Sequence, residues 1–374
     1  MKIGITCYPT YGGSGVVAAE LGMQLARSGH VIHFISSDLP SRLVELNERI
    51  AFHAVDMMAY PLFEYPPYAL ALATKMVEVV ESEGLDLLHV HYAIPHAISA
   101  YLAKQMWAPQ RLPVITTLHG TDITLVGNDR SYLPITRFGI EQSDGVTAVS
   151  QYLKEATYQE LNVHKDITVI PNFVDADHFK RQYSPARRRK MAPKGEKLLI
   201  HVSNFRPIKR VTDVVHVFDA VRRAVPARLL MIGDGPERSN AEYLCRKLGI
   251  EHEVCFLGKY GPVEEYLSVS DLALMPSELE SFGLAALEAM ACEVPVIASR
   301  IGGLPELVVP GETGYLAPVG DITAMADAAL RVLTDDGLAE RLGAQGRRRA
   351  VEVFGTDRIV PLYEQLYIDV LEKV

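Results

Sequence analysis

Short runs rich in β-branched and aliphatic residues alternate along this chain with longer stretches whose apolar positions recur at helical spacing. In the first half the strand-like runs are Ile3–Cys7, Val31–Ser36, Leu85–His91, Val114–Leu118, Gly145–Val149 and Ile167–Ile170. Helical patterns such as Val16–Arg27 and Tyr68–Glu83 lie between them. A second series starts at Leu198–Val202 and continues through Arg228–Ile232, Val254–Leu257, Leu272–Met275 and Pro295–Ala298. Such alternation predicts parallel sheets with crossover helices.

Residues 179–196, between the two series, are rich in Arg, Lys, Pro and Gly and poor in large apolar side chains. They read as a linker between two doubly wound, Rossmann-like α/β domains, 1–178 and 197–356. A last helical pattern, Asp357–Lys373, follows the second series and is free to cross back onto the first domain, as a segment 357–374. Open α/β sheets bind ligands beyond the carboxyl ends of their strands, so two such sheets facing each other predict a substrate in the cleft between them.

A length of 374 residues calls for two cores, and 48% hydrophobic residues can fill them. No apolar stretch approaches the roughly 20 residues of a membrane helix. Met1–Ile5 runs straight into a strand pattern, which leaves no room for a signal peptide. Cys7, Cys245, Cys255 and Cys292 form no C-x-x-C pair, so neither a metal site nor a disulfide framework is expected, and a reducing cytoplasm fits. A net charge of −9 argues against a nucleic-acid partner. The basic clusters Arg187–Lys190 and Arg347–Arg349 are expected to be solvated surface or helix ends, with a weak contact to anionic lipid or a partner as the sharper alternative.

The sharpest chemical signal is Glu280-Ser-Phe-Gly-Leu-Ala-Ala-Leu-Glu288, directly after the run Leu272–Pro276. A helix starting near Gly283 offers unpaired N–H groups and a positive dipole end to an anion such as a diphosphate. Carboxylates on either side accept hydrogen bonds from neutral hydroxyls. One element therefore suits a phosphate flanked by two polyols, the shape of a nucleotide sugar. The same spacing also suits a plain core helix that buries Leu284, Leu287 and Met290.

Strand ends elsewhere carry matching chemistry. Pro9-Thr-Tyr-Gly12-Gly13-Ser14-Gly15 precedes a helix, and glycines let backbone approach a ligand closely. Gly13-Ser14-Gly15-Val16-Val17-Ala18 with Asp38 also fits a dinucleotide fingerprint, but that motif needs a tight turn straight off the strand, and Pro9 intervenes. Ser203-Asn204-Phe205-Arg206-Pro207-Ile208-Lys209-Arg210 brings a guanidinium fork and a point charge suited to a diphosphate, and Gly233-Asp-Gly-Pro236 closes the next strand in the same way. His119-Gly120-Thr121-Asp122 ends the strand Val114–Leu118. His89 and His91 share one face of their strand by alternation; without a third ligand, packing or hydrogen bonding is expected of both.

In combination these motifs resemble glycosyltransferase family 4, retaining enzymes of the GT-B fold, and the resemblance covers essentially the whole chain. Tyr8–Gly15, Asp38-Leu-Pro40, Tyr60–Tyr68, His89–His96 and Thr117–Thr124 look like a narrower branch. Its members transfer N-acetylglucosamine from UDP-N-acetylglucosamine to L-malate in bacillithiol biosynthesis. The resemblance implies that Glu288 binds the ribose of UDP and Glu280 the donor sugar, with the Phe282-Gly283-Leu284 backbone meeting sugar and diphosphate. Arg206 and Lys209 would neutralise the departing diphosphate, Gly15 would admit it closely, and His119 would lie beside the sugar. Many relatives carry the arginine where this chain has Asn204, which makes Arg206 a shifted candidate. Asn204 and Gly233 complete the donor set. Ser14, Tyr92, Thr117 and Arg137 are the acceptor candidates by position; Arg137 leads because a guanidinium can grip a carboxylate with two bonds. Glu293 stands where the family usually has Gly after a helix end, at an expected small local cost.

No Asp-x-Asp of the kind that holds a divalent ion in other glycosyltransferases is found, so neither a metal nor a cofactor is expected. Retention in the family is attributed to same-face attack, and no nucleophilic carboxylate is nominated; the sequence leaves front-face and double displacement both open. Three competing functions remain: transfer to a lipid or polysaccharide, a nicotinamide-dependent oxidoreductase, and a binding or regulatory protein. The sequence leaves a homo-oligomer open and shows no convincing membrane-facing surface.

Overall fold

A computed structural model describes residues 1–10, 13–43, 47–58, 65–127, 129–259 and 261–373. Tyr11 and Gly12 of the glycine-rich loop and Tyr60–Glu64 of the Tyr60–Tyr68 motif lie outside the described residues. The chain divides into two compact units, one formed by Met1–Pro171 together with the chain from Ile359 onward, the other by Asn172–Arg358.

The first unit holds seven parallel strands: β1 Lys2–Thr6, β2 Val31–Ser36, β3 Ile50–Ala54, β4 Leu87–His91, β5 Val114–Leu118, β6 Gly145–Ala148 and β7 Thr168–Val169. Their spatial order is β3-β2-β1-β4-β5-β6-β7. β4 and β5 are buried at every position, as strands covered by helices on both faces must be. On one face Leu72, Met76, Val79 and Val80 of the helix Tyr68–Glu83 pack with Leu88, Val90, Ala100 and Val114. From the other end of the chain, the helix Thr356–Lys373 brings buried Tyr363 and Tyr367 against His89 of β4, with ring centroids 5.5 and 5.6 Å away.

Six parallel strands make the second sheet: β8 Lys197–Val202, β9 Ala227–Ile232, β10 Val254–Gly258, β11 Leu272–Met275, β12 Val296–Ser299 and β13 Gly314–Ala317, in the order β10-β9-β8-β11-β12-β13. Both units are therefore doubly wound, and each reverses its strand order once, between β1 and β4 and between β8 and β11. A crevice forms at that reversal, beyond the carboxyl ends of the strands.

β3 and β13 were not among the runs expected from the sequence; both are edge strands, and their residues are largely half-buried. Residues 179–196 belong to the second unit, and they contain the helix Pro185–Met191, capped by the Ser184 hydroxyl accepting from the Arg187 N–H.

In the basic clusters Arg189, Lys190 and Arg348 are exposed, while the other arginines are tied to carbonyls and carboxylates. Arg188 donates to the carbonyls of Val269 and Glu196 and pairs with Asp271 at 2.8 Å, while Arg187 pairs with Glu265. Arg347 donates to the carbonyls of Phe179, Ala176 and Ala291, and Arg349 to those of Leu307 and Glu306. Cations at a helix's last carbonyls satisfy groups that the helix itself cannot pair. Among the described residues, no helix is long and apolar enough to cross a membrane.

Candidate active site

In the second unit the reversal point lies between the loops that follow β8 and β11. Lys209, at the end of the turn Pro207–Lys209, pairs with Glu280 at 2.5 Å, and Ser277 donates to the same carboxylate oxygen at 3.4 Å. Gly283 then caps the helix Leu284–Ala291 in a left-handed conformation (φ 102°) that a side chain would strain. Ala286 and Leu287 N–H both turn back to the Gly283 carbonyl. Phe282 is buried, Leu284 is partly exposed in the first turn, and Glu288 is buried one turn on. Asn204 and Arg206 are exposed on the loop after β8. An ammonium, a guanidinium and a helix N-terminus thus occupy adjacent segments of one strand-end surface, with two carboxylates close by.

Glycines hold these loops in place. A Cβ at Gly302 would lie 1.8 Å from the Glu280 carbonyl oxygen, and the Gly303 N–H donates to that same oxygen at 2.9 Å. Gly233 lies equally close to Ser203, whose carbonyl would be 1.7 Å from an added Cβ. Gly233 thus serves loop packing. Gly302-Gly303 was missed in the sequence, although a glycine pair after a strand is the same signal that drew attention to Gly233. Behind the loop, buried His201 links Leu274 O of β11 at 2.7 Å to Ser203 Oγ at 2.8 Å, and burial lowers its pKa to about 4.

At the reversal point of the first unit the clustered rings are uncharged. Tyr8, Tyr92, His96 and His119 form an aromatic cluster: Tyr8–Tyr92 at 5.4 Å, Tyr8–His96 at 4.6 Å and Tyr92–His119 at 5.4 Å between ring centroids. Tyr92 adopts φ 90°, a costly conformation for a non-glycine residue and one that concentrates at functional sites. His91 and His119 are joined Nδ1 to Nε2 at 2.8 Å. His89 is held between Tyr367 Oη at 2.8 Å and Thr117 Oγ1 at 2.7 Å, so both strand histidines hydrogen-bond within the fold. Burial lowers the pKa of His89 and His119 to about 3 and of His96 to about 4, and drives His91 well below 6.5.

Asp122, to which the sequence reading gave no role, organises this cluster. Its carboxylate accepts from the N–H groups of Gly120 at 2.8 Å, Ala93 at 3.0 Å and His119 at 3.2 Å, tying the loop after β5 to the turn after β4. Burial raises its pKa to about 6 against the pull of those hydrogen bonds. Ser14 is buried at the start of the helix Ser14–Arg27. A Cβ on Gly15 would lie 2.4 Å from the Tyr8 carbonyl oxygen, so this glycine lets the loop after β1 close onto the helix. Thr117 is fully buried, its hydroxyl shared between His89 and Thr147. Arg137, in the helix Leu133–Gln142, anchors its Nε on the Leu161 carbonyl at 2.6 Å, where the helix Gln151–Leu161 ends.

One other group has metal-ligand geometry among the described residues, His33, His53 and Glu83. Lys2 and Lys75 act on these histidines electrostatically and oppose a divalent cation there. The dinucleotide reading fails on the fold: β1 ends at Thr6 and the next helix begins at Ser14, so no tight turn joins them.

Comparison with known proteins agrees with this layout. Residues 11–178 match the family model for glycosyltransferase family 4, and residues 184–349 that for glycosyl transferases group 1. The chain is 53% identical over 372 residues to N-acetyl-alpha-D-glucosaminyl L-malate synthase of Bacillus anthracis, covering 99% of this chain and 97% of that one. Among solved structures, a sucrose-phosphate synthase from Thermosynechococcus elongatus superposes over 100% of both chains with a TM-score of 0.82 at 25% identity. Anabaena HepE, solved in complex with UDP and glucose, covers 98% of this chain and 99% of its own at TM-score 0.80 and 20% identity, a likeness of fold. The chain belongs to glycosyltransferase family 4 and is a glycosyltransferase built from two Rossmann-like domains.

Proposed function

We propose that this enzyme transfers N-acetylglucosamine from UDP-N-acetylglucosamine to the hydroxyl of L-malate, with retention at the anomeric carbon. The bond between that carbon and the diphosphate oxygen breaks, and UDP departs with the electron pair. The malate oxygen bonds to the same face of the sugar, and its proton passes to the departing phosphate. The observation that carries the donor half is the Lys209–Glu280 pair beside the Gly283-led helix start. When donor binds, Lys209, Arg206 and the first-turn N–H groups face the diphosphate, and charge that develops there finds donors already in place. Glu280 accepts from sugar hydroxyls, and Glu288 from the ribose.

The acceptor half draws on the 53% identity to the malate-using enzyme. Arg137 spends its Nε on Leu161, which leaves the terminal Nη groups for an end-on, two-bond grip on a carboxylate. Tyr92 and Ser14 supply further polar atoms. The charge required is present in side chains and backbone, so no metal is needed, and activity should survive a chelator. Four free cysteines suit a cytoplasmic setting.

Incubation with UDP-N-acetylglucosamine and a panel of hydroxy acids, read as released UDP, tests the proposal. Malate should be turned over most efficiently. A different preferred acceptor would overturn the malate assignment and leave the family untouched.

A further inference from the structure

His89, His91, His96 and His119 gather at the carboxyl ends of β4 and β5, and their hydrogen bonds restrict which nitrogen carries each proton. The His96 Nδ1 lies 2.5 Å from the His91 carbonyl oxygen. A carbonyl only accepts, so Nδ1 of His96 is protonated and its Nε2 is a buried lone pair, without a partner among the described residues. His91 has the same environment at Nε2, buried and unpartnered, while its Nδ1 meets His119 Nε2 at 2.8 Å. Both rings are neutral, because burial and the neighbouring imidazoles disfavour protonation.

Two arrangements satisfy that contact. If His119 donated, His91 would carry its proton on Nε2 and bury an N–H with no acceptor. If His91 donates, its Nε2 is instead a bare lone pair, the state His96 already tolerates next door. Orphaned buried N–H groups are the rarer defect. His91 therefore donates through Nδ1, His119 accepts through Nε2, and the His119 proton sits on Nδ1.

We propose that His91 is a positioning residue that fixes His119 as the Nδ1–H tautomer, so that this part-exposed ring offers substrate a neutral hydrogen-bond donor and no basic lone pair. Asp122 holds the His119 backbone and Tyr92 flanks its ring, and His91 supplies the remaining constraint. The consequence concerns the reaction in the preceding subsection, on which it rests: His119 does not deprotonate the acceptor. It orients a hydroxyl oxygen by donating to it, which leaves the departing phosphate as the proton's destination.

Two-bond ¹H–¹⁵N correlation spectra of the full-length protein labelled in histidine, with His119→Gln for assignment, read the tautomer without any substrate. Nδ1–H at His119 is expected; Nε2–H would overturn the proposal whatever the acceptor proves to be. Two variants supply the functional arm. The side-chain amide nitrogen of asparagine branches from Cγ as Nδ1 does, so His91→Asn retains a donor to His119. His91→Phe keeps a ring and removes that donor. We expect His91→Phe to lower kcat by about tenfold to a hundredfold with KM little changed, and His91→Asn to recover most of the loss. Wild-type kcat in folded His91→Phe, or equal impairment of both folded variants, would also overturn it. Should His91→Phe fail to fold, the wild-type spectrum decides alone.

Discussion

The two reversal points occupy equivalent places in sheets of the same strand order, yet their chemistry is opposite. Beyond β8 and β11 stand a lysine and a glutamate in direct contact, an exposed arginine and a helix N-terminus. Beyond β1 and β4 stand tyrosines and neutral imidazoles; burial and the neighbouring Tyr92 and Asp122 push the Tyr8 hydroxyl up to about 12. A diphosphate needs fixed positive charge, while a sugar hydroxyl and an acceptor alcohol are held by neutral donors and apolar ring faces. The fold determines where each site lies, and the residues of a few loops determine what it can bind.

The comparison predicts its own failure most sharply at Lys209. Replacing it with Ala removes charge that the departing diphosphate needs and leaves Glu280 without its partner. A fall of about 10²–10³ in kcat is expected, the scale of losing one preorganised donor. Released UDP measured at saturating donor gives the answer; a change under about threefold would mean that the charged site is not where the bond breaks.

Acid should separate the units by stability. His89, His91, His96 and His119 are neutral in the folded first unit and titrate near 6.5 when unfolded. The unfolded chain therefore takes up protons that the folded one refuses, and stability falls as pH drops below 6.5 until the folded values of about 3 to 4 are reached. Asp122 acts in the opposite sense: its folded pKa of about 6 exceeds the unfolded 3.8, so protonation in that window favours the fold. His33 and His53 are lowered in the same way and Glu160 is raised like Asp122, so two carboxyls against six imidazoles leave a net loss, at about 1.4 kcal/mol per pH unit for each uncompensated group. The second unit has only His201 with such a shift among its described residues. Hydrogen exchange at pH 5 should release β4 and β5 before β8 and β11, and simultaneous release would remove the contrast.

Arg137 tests the acceptor side at a smaller scale. Arg137→Ala deletes a guanidinium that is anchored at Leu161, and a single charge-assisted contact is worth about 1.5–3 kcal/mol. The KM for malate should rise by about tenfold or more while that for donor stays put. Equal changes in both constants would assign Arg137 to the fold alone.

How much of this could be read beforehand differed between the sites for a physical reason. Lys209, Glu280 and the Gly283 helix start announce themselves because charge, glycine and helix period are local properties of the sequence. The neutrality of His89 is set by burial, which depends on segments as distant as Tyr367. Asp122 was visible in its motif, but its three backbone partners come from two separate loops. The helix Pro185–Met191 had a Ser cap and a Pro at its first position, signals that its basic composition obscured.

Backbone strain offers the finest probe, since each unit carries a non-glycine residue at positive φ next to a relevant element. Tyr92 (φ 90°) is part of the aromatic cluster, so its strain is bound up with the chemistry. Glu293 (φ 60°) instead ends the helix Leu284–Ala291, well past its catalytic start. There Val294 N–H returns to Ala289 O and Glu293 N–H to Met290 O, the paired bonds of a left-handed helix terminus in which glycine is the natural occupant. Glu293→Gly should therefore stabilise the second unit by about 1 kcal/mol, the relief of one left-handed side chain, less the extra backbone entropy that glycine loses on folding. Turnover should be unchanged, because the cap is remote from Gly283. Urea denaturation of the pair would show a higher midpoint at unchanged slope. A loss of stability would mean that the Glu293 side chain contributes more at that helix end than its backbone costs.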